Sequence, residues 1–205
     1  MNTIIKSSLE RSISYEAYRD MMKQLAIDNA TTGTVQTDAL INYTKLNDQR
    51  MKRWDKTLKI SEAAQQKILE FDKKITWLII TESWCGDAAH VMPVLNKIAE
   101  LNENIDIRVV LRDENLALMD MFLTNGARAI AKVIMLDTET GEVLDTYGPR
   151  PSEATANVAQ YKAEHGKLTP EFKEDLQIWY NKNKGQNIIE DIIKILCRHA
   201  PNVCV

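Results

Sequence analysis

Seven consecutive residues near the middle of the chain, Ile75-Thr76-Trp77-Leu78-Ile79-Ile80-Thr81, carry no charge and are mostly β-branched or aromatic. No alternation separates a wet face from a dry one, so a strand here must be covered on both faces. Helices packed on both sides of a sheet supply such cover, which makes the chain α/β. Ile105 to Leu111 alternates and reads as a second strand, and Ala131 to Asp137 as a third. After the Thr140-Gly141 turn, Glu142 to Tyr147 reads as a fourth, returning antiparallel. Helices fit 86–102 and the stretch after Asp113, with Asp113 as its cap and its end near Gly126. The order is β-α-β-α-β-β. The two crossovers predict parallel strands, and the short Thr138–Gly141 link predicts a hairpin.

Ahead of these strands, Tyr15, Tyr18, Met22 and Leu25 recur at helical spacing over 14–30, with Ser14 as cap. A second helix fits 37–56, with Leu40, Thr44, Asn47, Met51 and Trp54 on one side, and a third runs from Ser61 to about Phe71. Residues 1–12 read as frayed. Beyond the Gly148-Pro149-Arg150-Pro151 break, helices fit 152–165, 170–183 (opened by Thr169-Pro170) and 187–198. In the last, Ile188, Ile189, Ile192, Ile193, Ile195 and Leu196 face a core, while Glu190, Asp191 and Lys194 form the polar side. The chain therefore divides into a helical N-terminal extension, 1–60, and a domain, 61–205, that carries the helical segment 150–184.

Composition narrows the class. A chain of 205 residues buries a substantial core, and only 7 Gly and 5 Pro argue against a turn-dense all-β fold. A net charge of −3 argues against a general nucleic-acid surface. The longest purely apolar run, Trp77 to Ile80, is too short for a membrane span. One lysine (Lys6) and no apolar stretch near the N-terminus give no secretory signal. Three cysteines form no disulfide framework, so a cytoplasmic protein is expected.

The chemistry concentrates in Ser83-Trp84-Cys85-Gly86-Asp87-Ala88-Ala89-His90-Val91-Met92-Pro93, where a buried strand ends and a helix opens. Free backbone N–H groups and the helix dipole there favour negative charge. The Cys85 thiol is accordingly expected to have a lowered pKa. Pro93 removes the donor for the Ala89 carbonyl and kinks the helix. His90, five residues after Cys85, lies about 140° around the helix axis and reads as a surface or partly buried histidine. Cys197 and Cys204, with His199 between them, match no common zinc spacing and read as inert thiols.

Trp84, Cys85 and Gly86, with Pro93 eight residues after the cysteine, resemble the thioredoxin family, whose site reads Trp-Cys-Gly-Pro-Cys. The strand and helix order over 75–147 is similar as well, and Asn125 to Val133 resembles the family's Gly-x-x-x-Ile-Pro-Thr stretch. The resemblance covers about residues 60–147, and within the family the chain looks most like helix-extended bacterial members with a Trp-Cys-Gly-Asp-Ala site. It implies a thioredoxin-like fold: a mixed sheet of about four strands flanked by helices, with a helical N-terminal extension and a helical C-terminal insertion. It implies Cys85 as the catalytic residue and Trp84, Gly86, Asp87, Ile130 and Ala131 as the substrate-binding ones, with no metal and no cofactor.

Three positions depart from that pattern. Ala88 replaces the second cysteine, so the motif itself cannot resolve a mixed disulfide. Ala131 replaces the family's cis-proline. A non-proline cis bond costs roughly 3 kcal/mol, which predicts a trans Ile130–Ala131 bond. Ile79 replaces a buried acid. Asp87 reads as a helix-start residue beside the thiol. Two functions fit. One is single-cysteine thiol–disulfide exchange through Cys85, with a protein or low-molecular-weight disulfide or thiol as partner. The other is a non-catalytic thioredoxin-fold module that holds a peptide or protein. Neither involves a nucleic acid or a membrane.

Overall fold

A computed structural model describes residues 1–204; the side chains of Asn202 and Cys204 lie outside the description. Four helices lead in: α1 (Thr3–Glu10), α2 (Tyr15–Ile27), α3 (Asp38–Thr57) and α4 (Glu62–Leu69). There follow β1 (Ile75–Thr81), α5 (Ala88–Ala99), β2 (Ile105–Leu111), α6 (Leu116–Met121), β3 (Lys132–Asp137) and β4 (Val143–Tyr147). The chain closes with α7 (Ser152–His165), α8 (Pro170–Asn183) and α9 (Gln186–His199). Among the described residues no helix is long and apolar enough to cross a membrane.

The sheet order is β2-β1-β3-β4. The apolar run becomes β1, second in the sheet and buried at every position, so its lack of alternation reflects cover on both faces. β1 and β2 are parallel, as a full crossover through α5 requires. β3 runs antiparallel to β1, which corrects the expectation of a second parallel crossover. The physical reason is the connection. α6 is only six residues long, and the chain then continues as loop to Lys132, so no crossover helix spans the sheet. β3 and β4 form the expected antiparallel hairpin, with a register irregularity at Met135/Leu136.

Ser14, Thr37, Ser61 and Thr169 each accept a backbone N–H at the start of α2, α3, α4 and α8. Three local expectations are corrected. Residues 3–10 are helical rather than frayed: Asn2 caps α1, and Ile5 and Ser8 are buried. Asp113 does not cap α6. Its backbone N–H donates to Glu82 and its carboxylate pairs with Arg112. Asp191 is not on a polar face. It is buried, and it accepts the backbone N–H and the hydroxyl of Ser152 at 2.7 Å each, while Asn187 accepts the N–H of Glu153. Pro151 precedes α7 and has no side chain to cap it, so α9 supplies the cap from a distance.

One hydrophobic core joins the sheet to α1–α6 and α9. α2 and α3 pack together, α3 packs on α5, and α9 packs on both α4 and α5. Between α7 and α8, Ala154, Val158, Leu176 and Tyr180 form a smaller cluster of their own, flanked by Phe172 and Trp179.

Candidate functional site

Cys85 sits in the turn between β1 and α5, three residues before the helix begins, and it is 7 % exposed. Its thiol donates to the Ile130 carbonyl at 3.2 Å, and the Ala88 N–H donates to its sulfur at 3.4 Å. The helix start thus provides the expected stabilising donor, yet the expected fall in pKa is corrected. Burial, with the Asp87 carboxylate as the next cause, pushes the thiol up to about 12. Removing the thiolate from water outweighs the N–H groups and the Arg150 charge that favour it. Cys85 is a protonated hydrogen-bond donor at neutral pH.

The Ile130–Ala131 bond is cis, which overturns the expectation of trans. The local cost is overridden by surrounding packing. Ala131 is wholly buried, the Ile130 carbonyl is engaged by Cys85, and the backbone of Gly148 closes on the Ala131 carbonyl. Gly148 has φ +98°, and a Cβ there would clash with the Ala131 oxygen, so no other residue fits. The Gly148–Pro149 bond that follows is also cis.

Arg150 forms an ion pair of 2.7 Å with Asp87, and the Tyr180 hydroxyl donates to the other carboxylate oxygen at 3.0 Å. Asp87 occupies the cap position of α5, as its reading as a helix-start residue expects, but its side chain makes no capping hydrogen bond and serves this triad instead. Burial raises its pKa against the lowering effect of Arg150 and Tyr180. Arg50 of α3 lies beside Gly86, 3.6 Å from where a Cβ would stand.

His90 is 1 % exposed, which corrects its reading as a surface or partly buried histidine. Trp54 Nε1–H donates to Nδ1 at 2.9 Å, so Nε2 carries the proton and donates to Gln177 at 2.7 Å. The ring stacks on Tyr180 at 4.2 Å between centroids. Burial lowers its pKa to about 4. A neutral imidazole with both nitrogens engaged and no contact with the thiol is a tie between α3, α5 and α8.

On the other side of the loop, Ser83 is a hub. Its hydroxyl lies 3.0 Å from Thr31, 2.7 Å from Thr44 and 3.1 Å from Thr32, and it accepts the Thr32 N–H. The Thr32 hydroxyl accepts the Ser83 N–H, and Asn47 donates to the Ser83 carbonyl at 2.9 Å. Trp84 is half-buried beneath the Arg112 guanidinium, 4.8 Å from the ring. Of the residues expected to form the site, Trp84, Gly86, Asp87, Ile130 and Ala131 surround Cys85, but Ile130 and Ala131 are buried and only the first three reach solvent.

The sequence reading missed Thr31, Thr32, Arg150 and Gln177; it placed Tyr180 only among the aromatics of the 150–184 segment, as sheet cover or a lid over Cys85, and it gave Thr44 and Asn47 no role at the site. Two polar residues on the buried side of α3, Thr44 and Asn47, were the available signal, since buried polar groups need partners. Glu82 was missed as well. It is fully buried, one carboxylate oxygen accepts the Asp113 N–H and the other has no partner, and burial raises its pKa. Cys85 is a free thiol, whereas Cys197 is disulfide-bonded, which corrects its reading as an inert thiol; the side chain of Cys204 lies outside the described residues. Among the described residues no group of three His, Cys, Asp or Glu side chains is arranged to hold a metal.

A family model described as Thioredoxin matches residues 33–162. No curated protein matches the chain. Among solved structures, a Pseudomonas aeruginosa protein of unknown function is similar at a TM-score of 0.60 and 17 % identity, over 76 % of this chain and 86 % of that one. An HIV epitope-scaffold is similar at a TM-score of 0.51 and 17 % identity, over 90 % of this chain and 98 % of that one. Likeness at this identity concerns the fold alone.

Proposed function

The chain belongs to the thioredoxin family, and from that premise we propose that it is a non-catalytic member, a module that holds a peptide or protein partner at the surface around Trp84 and Gly86. One observation carries the reading: the Cys85 thiol is buried, protonated and already donating to Ile130, with its pKa pushed up to about 12. A thiol in that state is a poor nucleophile, because the thiolate is the reactive form. Ala88 offers no second sulfur. The test is reduction of a protein disulfide with glutathione as the external thiol. The expected rate equals the glutathione background and is unchanged by Cys85→Ser. A Cys85-dependent rate above background overturns the reading.

A second reading rests on the Ala88 N–H and on Arg150, which would stabilise a thiolate once the site opened. In it, the Cys85 thiolate attacks one sulfur of a disulfide, forms a mixed disulfide and expels the other sulfur as thiolate. An external thiolate then attacks the substrate sulfur of that mixed disulfide and restores the Cys85 thiolate. This reading predicts that the Cys85-dependent rate rises when the Asp87–Arg150–Tyr180 contact is weakened.

A further inference from the structure

A groove of about 450 Å³ lies between the C-terminal ends of α3 and α8 and the start of α9, and no residue of the Cys85 loop lines it. Its inner wall is apolar, formed by Trp54 and Leu58. Gly185 fits closely against that wall with φ +77°; a Cβ there would stand 2.9 Å from Val94 and 3.2 Å from Leu58. The rim carries Arg53, Lys59 and Lys184, all exposed. Asn181 and Gln186 add neutral amides, and Arg53 is held in place by a hydrogen bond to Asn181 and by lying 5.7 Å over the Trp54 ring.

Charge sets this groove apart. No carboxylate lines it, and none of its three cations forms an ion pair among the described residues. The groove between α2 and α5, of about 400 Å³, instead balances Arg19 and Lys97 with Glu16, Asp55 and Glu100. The one between α7 and α8 carries acids and no cationic side chain. In a chain of net charge −3, gathering three unbalanced cations around one concavity opposes folding slightly and attracts anions. The volume is that of a small-molecule site, and an apolar wall under a cationic rim matches a ligand with both characters.

We propose that this groove binds a small organic anion, one bearing a phosphate or carboxylate that meets Arg53, Lys59 and Lys184 while its apolar body lies on Trp54 and Leu58. The assignment is independent of any reaction at Cys85. It has a route to that site, since Trp54 also donates to His90, which stacks on the Tyr180 that holds Asp87.

The test is an NMR titration of the full chain at low salt with phenyl phosphate, benzoate, inorganic phosphate and benzyl alcohol as probes. Saturable shifts centred on Arg53, Trp54, Lys59 and Lys184 are expected with phenyl phosphate or benzoate; the stronger of the two identifies the anionic group. Benzyl alcohol and inorganic phosphate, each lacking half of the recognised chemistry, are expected to bind at least about tenfold more weakly. The triple variant Arg53→Gln, Lys59→Gln, Lys184→Asn is expected to lose about tenfold or more, and Lys6→Gln, elsewhere on the surface, none. Lys59→Gln alone serves as the same test if the triple variant does not fold. No saturable shift, equal loss with Lys6→Gln, undiminished binding by the groove variants, or inorganic phosphate binding as well as phenyl phosphate each overturns the proposal.

Discussion

The loop that carries Cys85 is bracketed from two sides, and the two brackets are built from opposite chemistry. On the N-terminal side, Thr31, Thr32, Thr44 and Asn47 close around Ser83 with neutral hydroxyls, an amide and backbone groups. On the C-terminal side, Arg150 and Tyr180 close on Asp87 with a charge pair and a phenol. The hydroxyl bracket contains nothing that titrates near neutral pH and is buried throughout. The charged bracket is half-buried, and its strength depends on the ionisation of Asp87. The first is suited to fixing the loop permanently. The second is suited to holding it conditionally, because screening and protonation both weaken it.

The largest expected effect is on Cys85 itself. A thiol near 12, against an ordinary value of 9.0, has about a thousandfold less thiolate at a given pH. Alkylation of Cys85 by iodoacetamide at pH 8, followed by mass spectrometry of its peptide, should be slower by roughly that factor in the native protein than in the denatured chain. Asp87→Asn removes the second-largest cause of the upward shift and should speed the native reaction, whereas Ser83→Ala at a temperature where the fold is intact should not. A native rate within tenfold of the denatured one would break the distinction.

Next comes acid sensitivity. The folded His90 pKa is lowered from 6.5 to about 4, so the folded state stays neutral where the unfolded chain takes up a proton. The stability this group contributes is complete above 6.5 and is lost as pH falls from 6.5 towards 4, by about 3 kcal/mol. Asp87 runs the other way. Its folded pKa is raised, so its contribution declines as pH rises above its ordinary 3.8. Urea unfolding of wild type from pH 7.5 to 4.5 should follow the His90 slope, and His90→Gln, which can still meet Trp54 and Gln177, should flatten it. An unchanged slope in that variant would sink the assignment.

Ser83→Ala should destabilise the protein by about 2–3 kcal/mol by leaving Thr31, Thr44 and the Thr32 N–H without their common partner. The loss should be the same at low and high salt and at pH 5 and 8, since no charge is involved. Arg150→Gln should lose less at high salt than at low. Equal salt dependence in the two variants would erase the contrast between the brackets.

The sheet and the brackets also differ in how far they could be read in advance. β1 was legible because seven uncharged residues in a row admit one kind of surroundings. The caps at Ser14 and Ser61, and the Thr169-Pro170 opening of α8, were legible because capping is a local rule. Cys85, Gly86 and Ile130 could be placed together through the resemblance to the thioredoxin family. Arg150, Gln177 and Tyr180 could not, because between 63 and 93 residues separate the members of each contact they make across the site. Tertiary packing also decided the Cys85 pKa. The helix start does supply the Ala88 donor, but the depth of burial that outweighs it comes from elements distant in sequence. The Ile130–Ala131 bond failed for the same reason: its cost is local, and the Gly148 backbone that encloses it comes from a different strand end.

Tyr180→Phe is the finest test and has the smallest expected effect. The ring that stacks on His90 remains and only the hydroxyl donated to Asp87 is lost, so packing of α8 on α5 should survive. Losing one hydrogen bond to a charged acceptor costs about 1–2 kcal/mol, less here because Arg150 still pairs with the carboxylate. The sign of its pH dependence carries more information than its size. Tyr180 lowers the Asp87 pKa by favouring the charged form, so the variant should raise that pKa further. Its stability deficit should therefore be larger at pH 7, where Asp87 is more fully ionised, than at pH 4.5. Chemical denaturation at the two pH values measures this directly. A deficit that is constant with pH would mean that the hydroxyl serves the packing of α8 rather than the charge on Asp87, and the C-terminal bracket would then be as unconditional as the one around Ser83.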